Sequence, residues 1–127
     1  MNVLCLLNHT LTDSQISDVK INFGCSEIIY PPKTVSEFWS QIPADDISLK
    51  LLQPIIDWLN TASHKGDIIV VQGEFGATYA LVAWCLDHGL LPVHSVTKRV
   101  AEEHKEGETV YRSYVFKHIR FRAYRTL

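Results

Sequence analysis

Apolar and polar residues fall along the chain in blocks whose period changes several times between strand-like and helix-like. Asn2–Leu7 (NVLCLL) is a nearly continuous apolar run, the pattern of a parallel strand covered on both faces. Thr12-Asp13-Ser14-Gln15 fits a capping box, in which the Thr hydroxyl and the Gln side chain satisfy free amides at a helix start. The helix it opens runs to about Phe23, with Gly24 as a natural stop. Ser26–Tyr30 (SEIIY) reads as a second strand closed by Pro31 and Pro32. Val35–Pro43 is a short helix or an irregular crossover. Asp45 or Asp46 then caps a longer helix reaching about Ser63, with Leu51, Leu52, Ile55, Ile56 and Leu59 on one face. Pro54 kinks or splits that helix.

Asp67–Gln72 (DIIVVQ) is the clearest buried strand, followed by a turn at Gly73-Glu74-Phe75-Gly76. Ala77–His88 is a helix apolar nearly all round, ending at Gly89, and Leu91–Thr97 is a fourth strand. From Lys98 to Tyr124 a polar turn (Glu102 to Glu108) is flanked by two β-rich segments, an antiparallel hairpin with return strand Val110–Arg122. The order predicts an α/β fold: a compact Rossmann-like parallel sheet with helices on both faces and a C-terminal antiparallel β-hairpin extension.

At 127 residues and 14.5 kDa the chain suits one domain spanning residues 1–127. Hydrophobic residues at 46% and charged residues at 20% exclude a mostly disordered chain. The run Val3–Leu7 is far below the ~18 residues of a membrane span and lacks the flanks of a signal peptide. Cys5, Cys25 and Cys85 show no ligand spacing, and free thiols in a reducing cytoplasm are the plain reading.

Net charge is −2, but it is divided. Residues 98–127 carry eight Lys and Arg against four Glu, and residues 1–97 carry four basic residues against ten acidic ones. A local positive surface on an acidic protein suits a small, compact anion better than duplex DNA, which meets a broad basic footprint. A basic strand that merely keeps an exposed edge soluble is the alternative.

Ligands of such sheets collect beyond the carboxyl ends of the parallel strands, where helix N-termini present free amides. Three polar clusters belong there. Asn8-His9-Thr10, with Thr12, follows the first strand; Gln72-Gly73-Glu74-Phe75-Gly76-Ala77-Thr78 follows the third; Thr97-Lys98-Arg99 follows the fourth. The two glycines allow close approach to a phosphate, with the amides of Ala77 and Thr78 pointing at it, although Glu74 opposes an anion there. The turn is neither a P-loop nor GxGxxG, and a tight connection without a ligand is its bland reading. His9 is the leading general acid or base, since histidine titrates near neutrality; a local turn role is the alternative. His64, His88, His94 and His104 look like helix-end, strand and loop residues, and no HxH or HxxxH pair suggests a metal. In the last strand, alternation places Phe116, His118, Arg120 and Arg122 on one face, with Val115, Ile119 and Phe121 on the other. Those cations hold phosphates or pair with acids across a dimer interface.

The segments NHTLT (Asn8–Thr12), QGEFGATY (Gln72–Tyr79), TKR (Thr97–Arg99) and FKHIRFR (Phe116–Arg122) together resemble a known family. It is the small stand-alone ring nucleases of the Csx series, accessories of type III CRISPR systems. The likeness covers nearly the whole chain in order and spacing. It implies a CARF-like homodimer that binds a cyclic oligoadenylate, most often cyclic tetra-adenylate, across its two-fold and linearises it, switching off antiviral signalling. The substrate brings its own nucleophile, the ribose 2′-OH, so no metal and no cofactor is called for. On that reading Lys98 or Arg99 stabilises transition-state charge and His9 assists proton transfer. Gln72 and Glu74 position ribose or adenine, and Gly73–Thr78 cradles a phosphate. Asn8, Thr10 and Thr12 add neutral hydrogen bonds, and His118 and Arg120 are further candidates. A non-catalytic sensor of the same ligand, or a protein-interaction module using the basic hairpin, are the competing expectations.

Overall fold

The computed structural model describes all 127 residues. Strands β1 (Val3–Leu6) and β3 (Ile68–Val71) are buried along their whole length, which is why both are unbroken aliphatic runs. Helix α1 (Asp13–Ile21) links β1 to the short β2 (Ile28–Ile29). Helices α2 (Lys33–Ser40) and α3 (Gln53–Ala62) precede β3, and α4 (Phe75–Asp87) follows it. Strands β4 (Leu91–Glu106) and β5 (Thr109–Ala123) complete one sheet in the order β2-β1-β3-β4-β5. All neighbours run parallel except β4 and β5. The protein is thus α/β, a mostly parallel five-stranded sheet with helices on both faces and an antiparallel pair at its C-terminal edge.

Strand alternation divides the core between the two faces. Leu4, Leu6, Ile69 and Val71 pack with Trp39, Ile55, Leu59 and Leu81 from α2, α3 and α4. Val3, Cys5, Ile68, Val70, Val93 and Phe121 pack with Val19 of α1 on the other face. Each such aliphatic side chain gains ~1.5–3 kcal/mol on full burial, so the short central strands anchor the sheet. No helix is long and apolar enough to cross a membrane.

Four local expectations are corrected. The long helix from Asp45 or Asp46 does not form; α3 begins only at Gln53, and Pro54 sits in its first turn, where a missing amide costs nothing. Helix α4 starts two residues early, at Phe75, because Glu74 caps it. The fourth strand and the first arm of the hairpin are one uninterrupted strand, and pairing continues out to Glu106–Thr109. The turn therefore shrinks to Gly107 and Glu108, with Gly107 at φ 63°, the left-handed conformation only glycine adopts freely.

The fourth correction concerns the faces of β5. Val96 pairs with Arg120 but Thr97 pairs with His118, so Ile119 is a bulged residue, 56% exposed. A bulge inserts one residue and inverts the alternation beyond it. His118 and Phe121 consequently share the α1 face, their rings 4.6 Å apart, and Arg122 joins His94 on the other. The face expected to carry His118, Arg120 and Arg122 together does not exist.

Candidate functional site

Beyond the carboxyl ends of β1 and β3, where β4 and β5 splay past the sheet, lies a polar hollow of about 420 Å³. His9, Thr12, Ser14, Gln15, Gln72, Ser95, Thr97, Phe116, Lys117 and His118 line it. Five residues singled out in the sequence (His9, Thr12, Gln72, Thr97 and His118) thus meet from four separate segments. Asn8 and Thr10 border a smaller hollow of about 190 Å³ with Tyr30, and His9 belongs to both. His9 Nδ1 donates to the Thr10 carbonyl at 2.6 Å, which leaves Nε2 for a ligand. Thr12 forms the predicted capping box with Gln15, so its hydroxyl is engaged with the helix start.

The wall of the main hollow is a hydrogen-bonded chain that starts in the interior. Asp18 Oδ2 accepts from His118 Nε2 and from the Phe121 amide, both at 2.7 Å, and Asn22 donates to its other oxygen at 2.8 Å. The His118 and Asp18 side chains are only 4% and 7% exposed. Burial by itself opposes ionisation of Asp18. The hydrogen bonds from Asn22, His118 and Phe121, with the His118 charge, outweigh it and hold the carboxyl below its ordinary range. A carboxylate only accepts, so Nε2 carries the imidazole proton. Whenever the ring is uncharged, Nδ1 is the acceptor for the Ser95 hydroxyl, 2.5 Å away at the cavity wall. This order of carboxylate, imidazole and hydroxyl is the arrangement that lets a histidine take a proton and share the resulting charge.

Gln72 fixes the hydroxyl end. Its Oε1 accepts from the Ser95 amide at 2.6 Å, and its carbonyl accepts from Trp39 Nε1 at 3.0 Å. The indole lies so close to Gly73 that a Cβ there would stand 2.6 Å from the ring. Gly73 is thus a packing glycine under Trp39.

The turn after β3 is filled from within. The Glu74 carboxylate accepts from the Gly76 and Ala77 amides at 2.7 and 2.9 Å, and the Thr78 amide donates to the Glu74 carbonyl at 2.9 Å. Those two side-chain hydrogen bonds lower the Glu74 pKa. The amides expected to cradle a phosphate are therefore occupied by an anion of the chain itself. Phe75 projects into solvent, 92% exposed, and the buried Thr78 hydroxyl has no partner.

The remaining candidates lie outside the hollow. Thr97 borders it, so alternation turns Lys98 to the far face. Arg99 returns to the hollow's face one step further out, its guanidinium 4.2 Å above the Tyr114 ring. Arg120 lines a separate crevice with Asp18, Asn22 and Phe23. No three metal-ligating side chains gather anywhere in the chain. The thiols are free; burial pushes Cys5 and Cys85 up to about 12, so neither is a ready nucleophile.

Sequence reasoning missed Asp18 and Ser95. Helix α1 buries Gln15, Asp18 and Val19, so two of its three buried residues are polar, and hydropathy assigns such positions to the surface. The one available signal was an acid four residues before Asn22 on a helix with almost no apolar face.

Residues 1–122 match the model of a protein family described as the uncharacterized protein MJ1673 family. The chain is 43% identical over 122 residues to the uncharacterized protein MJ1673 of Methanocaldococcus jannaschii, covering 94% of this chain and 93% of that one. No solved structure matches it. With nearly its whole length matched by the family model and by this relative, the chain belongs to the MJ1673 family.

Proposed function

We propose that the hollow binds and opens a cyclic oligoadenylate, cyclic tetra-adenylate being the ring the family resemblance implies, and that the protein acts as a ring nuclease ending type III CRISPR signalling. The observation that carries the reading is the Asp18–His118–Ser95 chain ending on a polar hollow that also holds His9. Such a constellation moves protons, and opening an RNA ring needs little else. The ribose 2′-oxygen attacks the adjacent phosphorus, the bond from phosphorus to the 5′-oxygen breaks, and the products carry a 2′,3′-cyclic phosphate and a 5′-hydroxyl.

In this mechanism the Ser95 hydroxyl takes the 2′-proton while passing its own to His118 Nδ1. Asp18 stabilises the imidazolium so formed. His9, when protonated, delivers a proton from Nε2 to the departing 5′-oxygen. Positioned proton transfer contributes ~10²–10⁴-fold, and holding nucleophile and leaving group in line contributes up to ~7–11 kcal/mol in ideal cases. A two-fold pair of chains presents each contact twice to a symmetric ring, so a homodimer belongs to the reading.

The test is incubation of the purified protein with cyclic tetra-adenylate in EDTA, with products separated by chromatography. Linear adenylates ending in a cyclic phosphate are expected. A ring left intact by stoichiometric protein overturns the proposal, and tight binding without turnover would make the protein a sensor or sponge instead.

A further inference from the structure

The β4–β5 ribbon runs on past the hollow, and from Lys98 to Lys117 almost every residue is exposed. A two-stranded ribbon has no core to support it, so the side chains it carries are open to functional choice. Its two faces differ. On the face continuous with the hollow, Phe116 lies opposite Arg99 and Tyr114 lies opposite Ala101. Phe116 lines the hollow, is 70% exposed, and has no aromatic partner. The Arg99 guanidinium carbon lies over the Tyr114 ring, 4.2 Å from its centroid, and the next pair outward, Glu103 with Arg112, closes on itself in a 2.8 Å ion pair. An aromatic plane without a ring partner and a guanidinium without an acid partner therefore sit side by side, between the hollow and a self-satisfied pair. Lys98 and Lys117, paired directly opposite one another, add positive potential at the same level. Like charges so opposed destabilise a ribbon, a cost an anion alongside would relieve.

We propose that this strip is a nucleotide subsite for the ligand of the hollow: a purine base stacks on Phe116, and Arg99, oriented by Tyr114, grips the phosphate next to it. Charge and stacking chemistry select a single-stranded oligonucleotide, since an aromatic plane beside a guanidinium fits a base joined to a phosphate. Continuity fixes the polarity of the arrangement. The hollow works on one linkage while the adjoining nucleotide lies along the ribbon root, so affinity grows with ligand length. Phe116 and Arg99 touch the ligand; Tyr114 is a positioning residue.

The inference rests on the oligoadenylate reading, and one titration separates the two. The probe is linear 2′-O-methyl tetra-adenylate, which lacks the attacking hydroxyl, with the 2′-O-methyl dinucleotide as the short control. Phe116→Ala is expected to weaken tetranucleotide binding about ten-fold and dinucleotide binding by less. Arg99→Lys keeps the charge but loses the planar fork, and is expected to weaken the tetranucleotide while Tyr114→Phe does not. Arg99→Ala should also reduce the salt slope of log affinity by about one. Circular dichroism confirms that each variant is folded. If the parent binds the tetranucleotide and the folded Phe116 and Arg99 variants bind it equally well, the subsite is refuted and the hollow's function stands. If the parent binds no oligoadenylate, both fall.

Discussion

Two places beyond the carboxyl ends of the parallel strands bring hydrogen-bonding groups together, and they differ in what they leave over. At the start of α4 the Glu74 carboxylate consumes the Gly76 and Ala77 amides, and the backbone consumes the Thr78 amide. At the hollow itself, the bulge in β5 turns His118 inward onto Asp18, and the chain of bonds runs outward to the Ser95 hydroxyl at the wall. The first is a closed loop and serves the fold. The second has a buried end that fixes geometry and an exposed end where a ligand's proton can enter. A glycine-rich turn before a helix is therefore no anion site once a capping carboxylate lies within it. A polar pair hidden under a helix can be the working end of the molecule.

The largest effect should come from cutting the open chain. His118→Ala removes the proton acceptor and is expected to lower turnover of cyclic tetra-adenylate by ~10²–10⁴-fold. Product chromatography under single-turnover conditions measures it, and a thermal melt reports the accompanying loss of structure. Turnover within three-fold of the parent in a folded His118→Ala protein would mean that the relay is a structural fastener. The contrast with the α4 turn would then collapse.

Asp18 is expected to matter to fold and site alike. Asp18→Asn removes the charge while keeping the shape, and a hydrogen bond to a charged group contributes roughly 1.5–3 kcal/mol, so unfolding in urea should shift by that order. The pH dependence has a definite sign. The folded-state pKa of Asp18 lies below its unfolded value, so its contribution is complete above about pH 4 and is lost as pH falls through the lower folded value. Parent and Asp18→Asn stability curves should therefore converge in acid and separate as pH rises. Parallel curves from pH 2 to 7 would remove Asp18 from the account.

Much of the fold was legible because hydropathy records burial. The aliphatic runs at β1 and β3, the capping box at Thr12 and the parallel order all follow from local pattern. The bulge was not legible: whether Ile119 continues or interrupts the alternation depends on pairing with a strand more than twenty residues away. That one residue decides which face His118 takes, so His118 is read beside Arg120 and Arg122 when its partners are Asp18 and Ser95. The convergence of His9, Gln72 and Thr97 was legible from topology, since strand ends in a parallel sheet gather on one side. Asp18 and Ser95 were not, because a buried acid and a strand serine look like surface residues until their partners are placed.

Gly73 sharpens the closed side of the comparison. A methyl group there meets the Trp39 ring at 2.6 Å, and that ring also holds the Gln72 carbonyl. Overpacking of this kind costs ~1–3 kcal/mol. Gly73→Ala should lose that much stability in denaturant, and any loss of turnover should follow from displacement of Gln72 and hence of Ser95. A Gly73→Ala protein as stable as the parent would show that the turn yields easily and that Trp39 does not brace it.

The smallest effect is the most telling for the turn itself. Glu74→Gln removes the anion and keeps only one of the two accepting oxygens, so either the Gly76 or the Ala77 amide loses its partner. If the turn serves only α4, turnover should stay within about two-fold of the parent, and stability should fall by about one exposed hydrogen bond, ~0.5–1.5 kcal/mol. If the turn instead binds phosphate whenever Glu74 swings away, removing the competing charge should strengthen binding of oligoadenylate, and the affinity should rise most at low salt, where anion repulsion is least screened. Equal affinity for parent and variant at low and high salt is the expected result. It follows from geometry, because each amide has its own carboxylate oxygen in the parent, and the single amide that the variant frees does not by itself make an anion site.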